Sequence, residues 1–143
     1  MREILHRAVH MGISVELRIR TARKIERRDI TAEVTRAAAS MKAGDGALLV
    51  SVPHTTAAVT VGENWDADVT ADMERALAAW VPDVRFDHSE GNSPAHFLSE
   101  AIGVSCLVPL ENGKLLLGRW QGVFLIELDG PRERTVRVAV LAG

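Results

Sequence analysis

The stretch Val104-Ser105-Cys106-Leu107-Val108-Pro109-Leu110-Glu111-Asn112-Gly113-Lys114-Leu115-Leu116-Leu117-Gly118 decides the fold class. Two apolar runs, residues 104–110 and 114–118, flank Asn112-Gly113. Asparagine and glycine are the residue types that accept positive φ, which the tight two-residue hairpin turn demands at both central positions. The pair therefore predicts antiparallel strands. Downstream, residues 120–128 and 135–141 read as two more strands, so the C-terminal third is mostly sheet.

Upstream the same signals recur. Residues 47–52 form a short apolar run between Gly46 and Pro53, and residues 57–61 form another, with His54-Thr55-Thr56 between them. Ile13, Val15, Leu17 and Ile19 alternate with Ser14, Glu16, Arg18 and Arg20, the period-two pattern of a strand buried on one face. Helical spacing appears three times. Asp29 precedes Ile30, Val34, Ala37, Ala38 and Met41, a helix predicted to end near Gly44. Asp66 or Asp68 caps a second, whose stripe of Val69, Met73, Ala76, Leu77 and Trp80 is expected in the core, with Pro82 as its stop. Ser93 as cap, Pro94 in the first turn and Gly103 as stop bound a third. The expectation is a compact α+β domain over residues 1–143, largely antiparallel and sandwich-like, with about three helices.

Composition agrees. A chain of 143 residues buries roughly 68–70% of its unfolded surface in one core. At 47% hydrophobic and 25% charged residues it has no disordered or fibrous bias. A net charge of −2 gives no global attraction to nucleic acid or anionic membrane, and neither is expected as a partner. The local basic run Arg18, Arg20, Arg23, Lys24, Arg27 and Arg28 has no interleaved aromatic for base stacking and reads as a solvated strand end and loop. Cys106 is the only cysteine, which excludes an intrachain disulfide, and residues 1–10 carry no continuous apolar stretch. A cytoplasmic location is expected.

Chemistry concentrates at three of the five histidines. His6 and His10 lie in the N-terminal segment, whereas His54, His88 and His96 fall among turns, small residues and element ends. Three imidazoles with an open fourth position make a catalytic zinc site, and a ring in the first turn of a helix stays neutral beside the positive end of the dipole. Their spacing matches no standard metal motif, so three unrelated polar loop residues is the competing reading. Glu63, Asp66, Asp68 and Glu90 are nearby carboxylates, able to orient a ring or serve as base, or simply to cap helices. The segment 118–122 places Trp120, Arg119 and Gln121 between glycines, either a wall for a heterocycle or phosphate or a bulge with a core tryptophan. Asn92 follows Gly91 in a turn and can offer its amide to a ligand; Arg132 and Arg134 follow the Asp129-Gly130-Pro131 turn and can clamp phosphate. Cys106 reads as a buried small hydrophobe.

Together these residues resemble the YjbQ-like, or secondary thiamine-phosphate synthase, family. The resemblance rests on His54-Thr55-Thr56-Ala57, Glu63-Asn64 with Asp66 and Asp68-Val69, His88 with Gly91-Asn92 and Ala95-His96, Asn112-Gly113, Leu117 through Gln121, and Glu127 through Arg132 with Arg134. It covers most of the chain from about residue 29. It implies a compact α+β fold, a homotrimer, a metal-type site at His54, His88 and His96, and an activity joining a pyrimidine diphosphate to a thiazole phosphate with release of pyrophosphate. The metal so implied is zinc, or magnesium with a diphosphate substrate. On this reading Glu63, Asp66 and His54 are catalytic, and Asn64, Asn92, Trp120, Gln121, Glu127 and Arg132 bind substrate. Two positions depart from the pattern: Arg119 stands where a small residue is expected, and Ser93-Pro94 stiffens the approach to Ala95-His96. The alternatives are a non-catalytic trimeric module for a small anionic metabolite and a metal-dependent hydrolase.

Overall fold

In the computed structural model, residues 14–141 are described. The N-terminal histidines His6 and His10, and Ile13 at the head of the predicted first strand, lie outside them. Alternation makes β1 (Ser14–Arg20), and a second short strand, β2 (Glu26–Asp29), follows a turn. Then come α1 (Thr31–Ser40), β3 (Gly46–Ser51), β4 (Ala57–Glu63), α2 (Ala67–Ala79), α3 (Ser93–Ile102), β5 (Ser105–Glu111), β6 (Lys114–Leu115), β7 (Gln121–Glu127) and β8 (Glu133–Leu141).

The strands form two wholly antiparallel sheets, ordered β1-β8-β3-β5-β6 and β2-β7-β4. Their facing sides, with α1, make the main core: Leu48, Val50, Val108, Val136 and Val138 from one sheet meet Ala57, Val59, Val123 and Leu125 from the other. Opposite residues of β7, Phe124 and Ile126, pack with Leu98 and Ala95 of α3 on the outer side. β7 is thus covered on both faces, which is why its sequence is a continuous apolar run instead of an alternation.

The hairpin forms as predicted, with φ of 51° at Asn112 and 75° at Gly113 between Glu111 and Lys114. Other details are corrected. The strand expected over residues 114–118 stops at Leu115, because Gln121 turns the chain: its Oε1 accepts from Gly118 N–H and its N–H donates to Gly118 C=O. The first helix ends at Ser40, short of Gly44, with Lys42 at φ 53° and Ala43 N–H donating to Ala38 C=O in a six-to-one cap. Asp29 serves that helix from one place earlier than a cap residue, its carboxylate accepting from Thr31 N–H at 2.9 Å.

Two larger expectations are overturned. The stripe of α2 is not core: none of its residues is buried, and Met73 and Trp80 are 42% and 53% exposed. The basic run is not all solvated loop. It contains β2, and Arg27 is buried, its guanidinium 3.6 Å from the Phe124 ring centroid and bonded to Thr70 Oγ1 and the Glu63 carbonyl. Arg23 pairs with Glu74, whose carboxylate also accepts from Arg27 N–H, tying α2 to the second sheet. No helix among the described residues is long and apolar enough to cross a membrane.

Candidate functional site

The ladder between β4 and β7 sorts the candidate residues. Ala57 pairs with Glu127 at one end and Glu63 with Gln121 at the other, six residues or roughly 20 Å away at about 3.4 Å per residue. His54, Glu127 and Arg132 belong to the first end; Glu63, Asn64, Asp66, Trp120 and Gln121 belong to the second. Within one chain they are two groups, not one.

At the second end the polar atoms are occupied by local structure. Glu63 accepts from the N–H groups of Trp65 and Asp66, and Asp66 accepts from Asp68 N–H as N-cap of α2. Both proposed catalytic carboxylates therefore serve the start of a helix, where unpaired N–H groups attract negative charge. Asn64 donates from its backbone to Trp120 C=O and from its side chain to Asp29. Trp120 is 43% exposed and meets Trp65 edge to face at 4.9 Å, with Arg119 over its ring. The core-tryptophan alternative falls away; the aromatic pair is a surface feature.

The first end is built on a buried ion pair. Glu127 and Arg134 have side chains 0% and 3% exposed, with Arg134 Nη2 2.6 Å from Oε1 and Nε 2.9 Å from Oε2. Leu128 and Asp129 N–H groups also donate to Oε1, Thr21 Oγ1 donates to Oε2, and Arg134 reaches Thr56 C=O and Oγ1. Both oxygens of Glu127 are fully engaged, and Arg134 spends Nε and Nη2 on them and on Thr56. Glu127 was expected to bind substrate and Arg134 to clamp phosphate; here both are buried and bonded to each other, and together they act as the frame that shapes neighbouring turns.

Those turns carry the exposed polar groups. Asp129 Oδ2 accepts from Asn92 Nδ2 and from Arg132 Nη2, each at 3.0 Å, and Arg132 Nε donates to Asp129 C=O. A carboxylate only accepts, so the Asn92 amide must turn its NH₂ toward Asp129. Its Oδ1 is buried and finds no donor among the described residues. Asn92 caps α3, whose first turn holds His96, and the His96 and His88 rings lie edge to face with centroids 5.5 Å apart. A cleft of about 450 Å³ opens alongside, between α2 and α3, with Lys24, Asn92 and Asp129 in its wall.

His54 adjoins the same frame. Its Nε2 accepts from Thr135 N–H at 2.9 Å, one residue beyond Arg134. Burial, and after it the charge of Arg134, holds the pKa of this ring below its ordinary value of 6.5.

The three-histidine metal site does not assemble within one chain. Among the described residues no group of three or more His, Cys, Asp or Glu side chains is placed to hold an ion. His88 and His96 are close: two imidazoles on one tetrahedral zinc have centroids about 5 Å apart, and edge-to-face packing gives a similar separation. His54 is not grouped with them, and the nitrogen facing its neighbours is already an acceptor. Sequence reasoning missed Thr21, which holds Glu127 and receives Arg132 N–H at 2.9 Å from more than a hundred residues away. A threonine at a strand end carries no signal of that kind.

An antiparallel two-sheet α+β domain with this histidine, asparagine and arginine rim is the class of protein defined here. The chain belongs to the YjbQ family, described as UPF0047 protein YjbQ-like, which matches residues 15–143. It is 42% identical over 127 residues to the UPF0047 protein YugU of Bacillus subtilis, covering 87% of this chain and 96% of that one. It is 41% identical over 124 residues to the UPF0047 protein MJ1081 of Methanocaldococcus jannaschii, covering 86% and 90%. The fold is similar to the crystal structure of a YjbQ/UPF0047 family protein from Clostridium acetobutylicum, with a TM-score of 0.84, 41% identity and coverage of 89% and 99%. It is similar too to the conserved hypothetical protein TT1486 from Thermus thermophilus, with a TM-score of 0.80 and 42% identity over 89% and 99% of the chains.

Proposed function

We propose that the protein is an enzyme acting on a small phosphorylated heterocyclic substrate in the cytoplasm. The reaction favoured by the family resemblance joins a pyrimidine diphosphate to a thiazole phosphate and releases pyrophosphate. The observation that carries this reading is the Glu127–Arg134 frame, since a buried pair that fixes Arg132, Asn92 and the turn beyond β7 is what a preorganised anion site requires. Arg132 supplies a half-exposed guanidinium, and His54 a neutral ring beside it. The adjacent cleft is within the size range of small-ligand sites.

A divalent ion, zinc or magnesium, would take His88 and His96 as ligands and neutralise phosphate charge. Among the described residues no third protein ligand stands with them, so water, substrate or a second copy would complete the coordination. A second copy is the source in this reading, in a homotrimer of the kind the resemblance implies. Assembly of that kind would also let Glu63, Asp66, Trp120 and Gln121 of one copy approach the histidines of the next, which the length of the β4–β7 ladder prevents within a chain.

The test is direct. Purified protein is incubated with the pyrimidine diphosphate and thiazole phosphate, and thiamine phosphate and pyrophosphate are quantified with and without added zinc or magnesium. Turnover that falls at least tenfold in Arg132→Ala, with an unchanged thermal melt, supports the reading. Tight binding of both compounds with no product under any metal condition overturns it in favour of the non-catalytic module; release of inorganic phosphate alone overturns it in favour of the hydrolase.

A further inference from the structure

His54 has two ring nitrogens, and the structure assigns them different work. Nε2 accepts the Thr135 N–H at 2.9 Å. A ring nitrogen that accepts a hydrogen bond bears no proton, so the neutral ring carries its proton on Nδ1. Among the described residues Nδ1 has no protein partner, and it is not among the polar atoms sealed from solvent without one. It is therefore an N–H donor with no acceptor among the described residues. The donor to Nε2 is a backbone amide of β8, held by the ladder pairing of Thr135 with Arg18 and by the buried Arg134 next to it, so the ring cannot exchange its role without breaking sheet geometry.

We propose that His54 is a neutral Nδ1–H donor to an acceptor oxygen of the bound anion, locked in that tautomer by Thr135, and is not a ligand to a metal ion. A protonated nitrogen has no lone pair to offer an ion, and the other nitrogen's lone pair is in use. Arg132 stands near the ring with a half-exposed guanidinium, held by Asp129 on one side and open on the other to an anion that the Nδ1–H can also reach. The ligand class, an oxyanion such as a phosphate or diphosphate group, rests on the proposed function above; the tautomer does not.

Long-range proton–nitrogen NMR on uniformly labelled protein reads the tautomer of each histidine, and His54 is assigned by the peaks lost in His54→Gln. The expected spectrum has a protonated Nδ1 and an unprotonated Nε2, with the Nδ1–H resonance moving as inorganic pyrophosphate is added. His54→Asn, whose amide NH₂ falls near the position of Nδ1, is expected to bind pyrophosphate within about threefold of the wild type, while His54→Gln and His54→Ala lose tenfold or more. A purely structural histidine gives the reverse order, because glutamine restores the acceptor for Thr135 and asparagine does not. A protonated Nε2, a His54 ring unmoved by bound pyrophosphate, or a His54→Gln variant that binds as well as wild type overturns the proposal. If pyrophosphate fails to bind the wild-type protein, the phosphate reading of the site fails, and with it the oxyanion half of this proposal, while the spectrum still decides the tautomer.

Discussion

Arg134 reaches back across the turn after β7 to Glu127 and meets it in a two-point ion pair closed to solvent on both sides. Such a pair is costly to break because one partner then remains as an unpaired buried charge. Arg134→Met should lower stability by about 3–5 kcal/mol in urea unfolding. Arg134→Lys should also be clearly destabilised, since an ammonium cannot supply two parallel bonds together with those to Thr56. The joint change Arg134→Met with Glu127→Leu should recover much of the loss while leaving the Asp129 turn loosened. A loss below about 1 kcal/mol in the single variant would show that the pair is not what holds this region.

Stability should fall in acid in two stages, an upper one set by His54 and a lower one to which Glu127 and Glu74 both contribute. The His54 ring is held below its ordinary pKa of 6.5. Between the folded value and 6.5 the unfolded chain binds a proton that the folded chain does not, so this contribution is complete above about pH 6.5 and is lost as pH falls toward the folded value. Burial by itself would raise the pKa of Glu127, but bonds from Arg134, Asp129 N–H and Thr21 outweigh it and leave the carboxyl below its usual 4.5. Its contribution holds above about pH 4.5 and disappears as pH drops through the folded value. Urea midpoints measured from about pH 8 to about pH 3.5 should show both stages, and His54→Gln should erase only the upper one.

Gly113→Ala should destabilise by on the order of 2 kcal/mol. The position has φ of 75°, which any side chain resists, and a Cβ there would stand 2.6 Å from the carbonyl oxygen of Ala43, a backbone atom that cannot swing aside. Gly44→Ala, with nothing within 4 Å of the added carbon, is the control and should be close to neutral. Equal thermal melts for the two variants would remove the argument.

Met73 and Leu98 separate an apolar residue that looks buried from one that is. Met73→Gln should cost less than about 1 kcal/mol, because the residue is 42% exposed on α2 and its side chain can stay in contact with water. Leu98→Ala should cost about 2–5 kcal/mol, since the leucine is 2% exposed against β7. Chemical denaturation of the two variants compares them directly, and a Met73→Gln loss as large as that of Leu98→Ala would place α2 in the core after all.

Local chemistry made much of this legible from residue order. Asn112-Gly113 encodes its hairpin because only those φ values close a two-residue turn, and Asp66 encodes the start of α2 because its carboxylate meets a first-turn N–H within the same segment. The stripe on α2 misled because Val69, Met73 and Leu77 repeat at helical spacing whether a helix is buried or, as here, only leans on a core cluster through a partly buried Leu77. Arg27 misled because charge predicts exposure unless a distant aromatic and carbonyl receive it, here Phe124 and Glu63. Among candidate site residues, His88 and His96 could be associated from their closeness in sequence, and they are neighbours. Glu63 and His54 could be associated in the same way, yet a strand runs between them and carries them to opposite ends.

By itself the order of residues determined most of the antiparallel strands, the helix starts to within a residue and the polar candidates, because each of those depends on interactions spanning only a few residues. Only the folded chain decided which candidates share a place and which nitrogen of His54 is free. The Thr135 amide that settles it lies 81 residues away in sequence and 2.9 Å away in space, through a sheet pairing that no local pattern encodes.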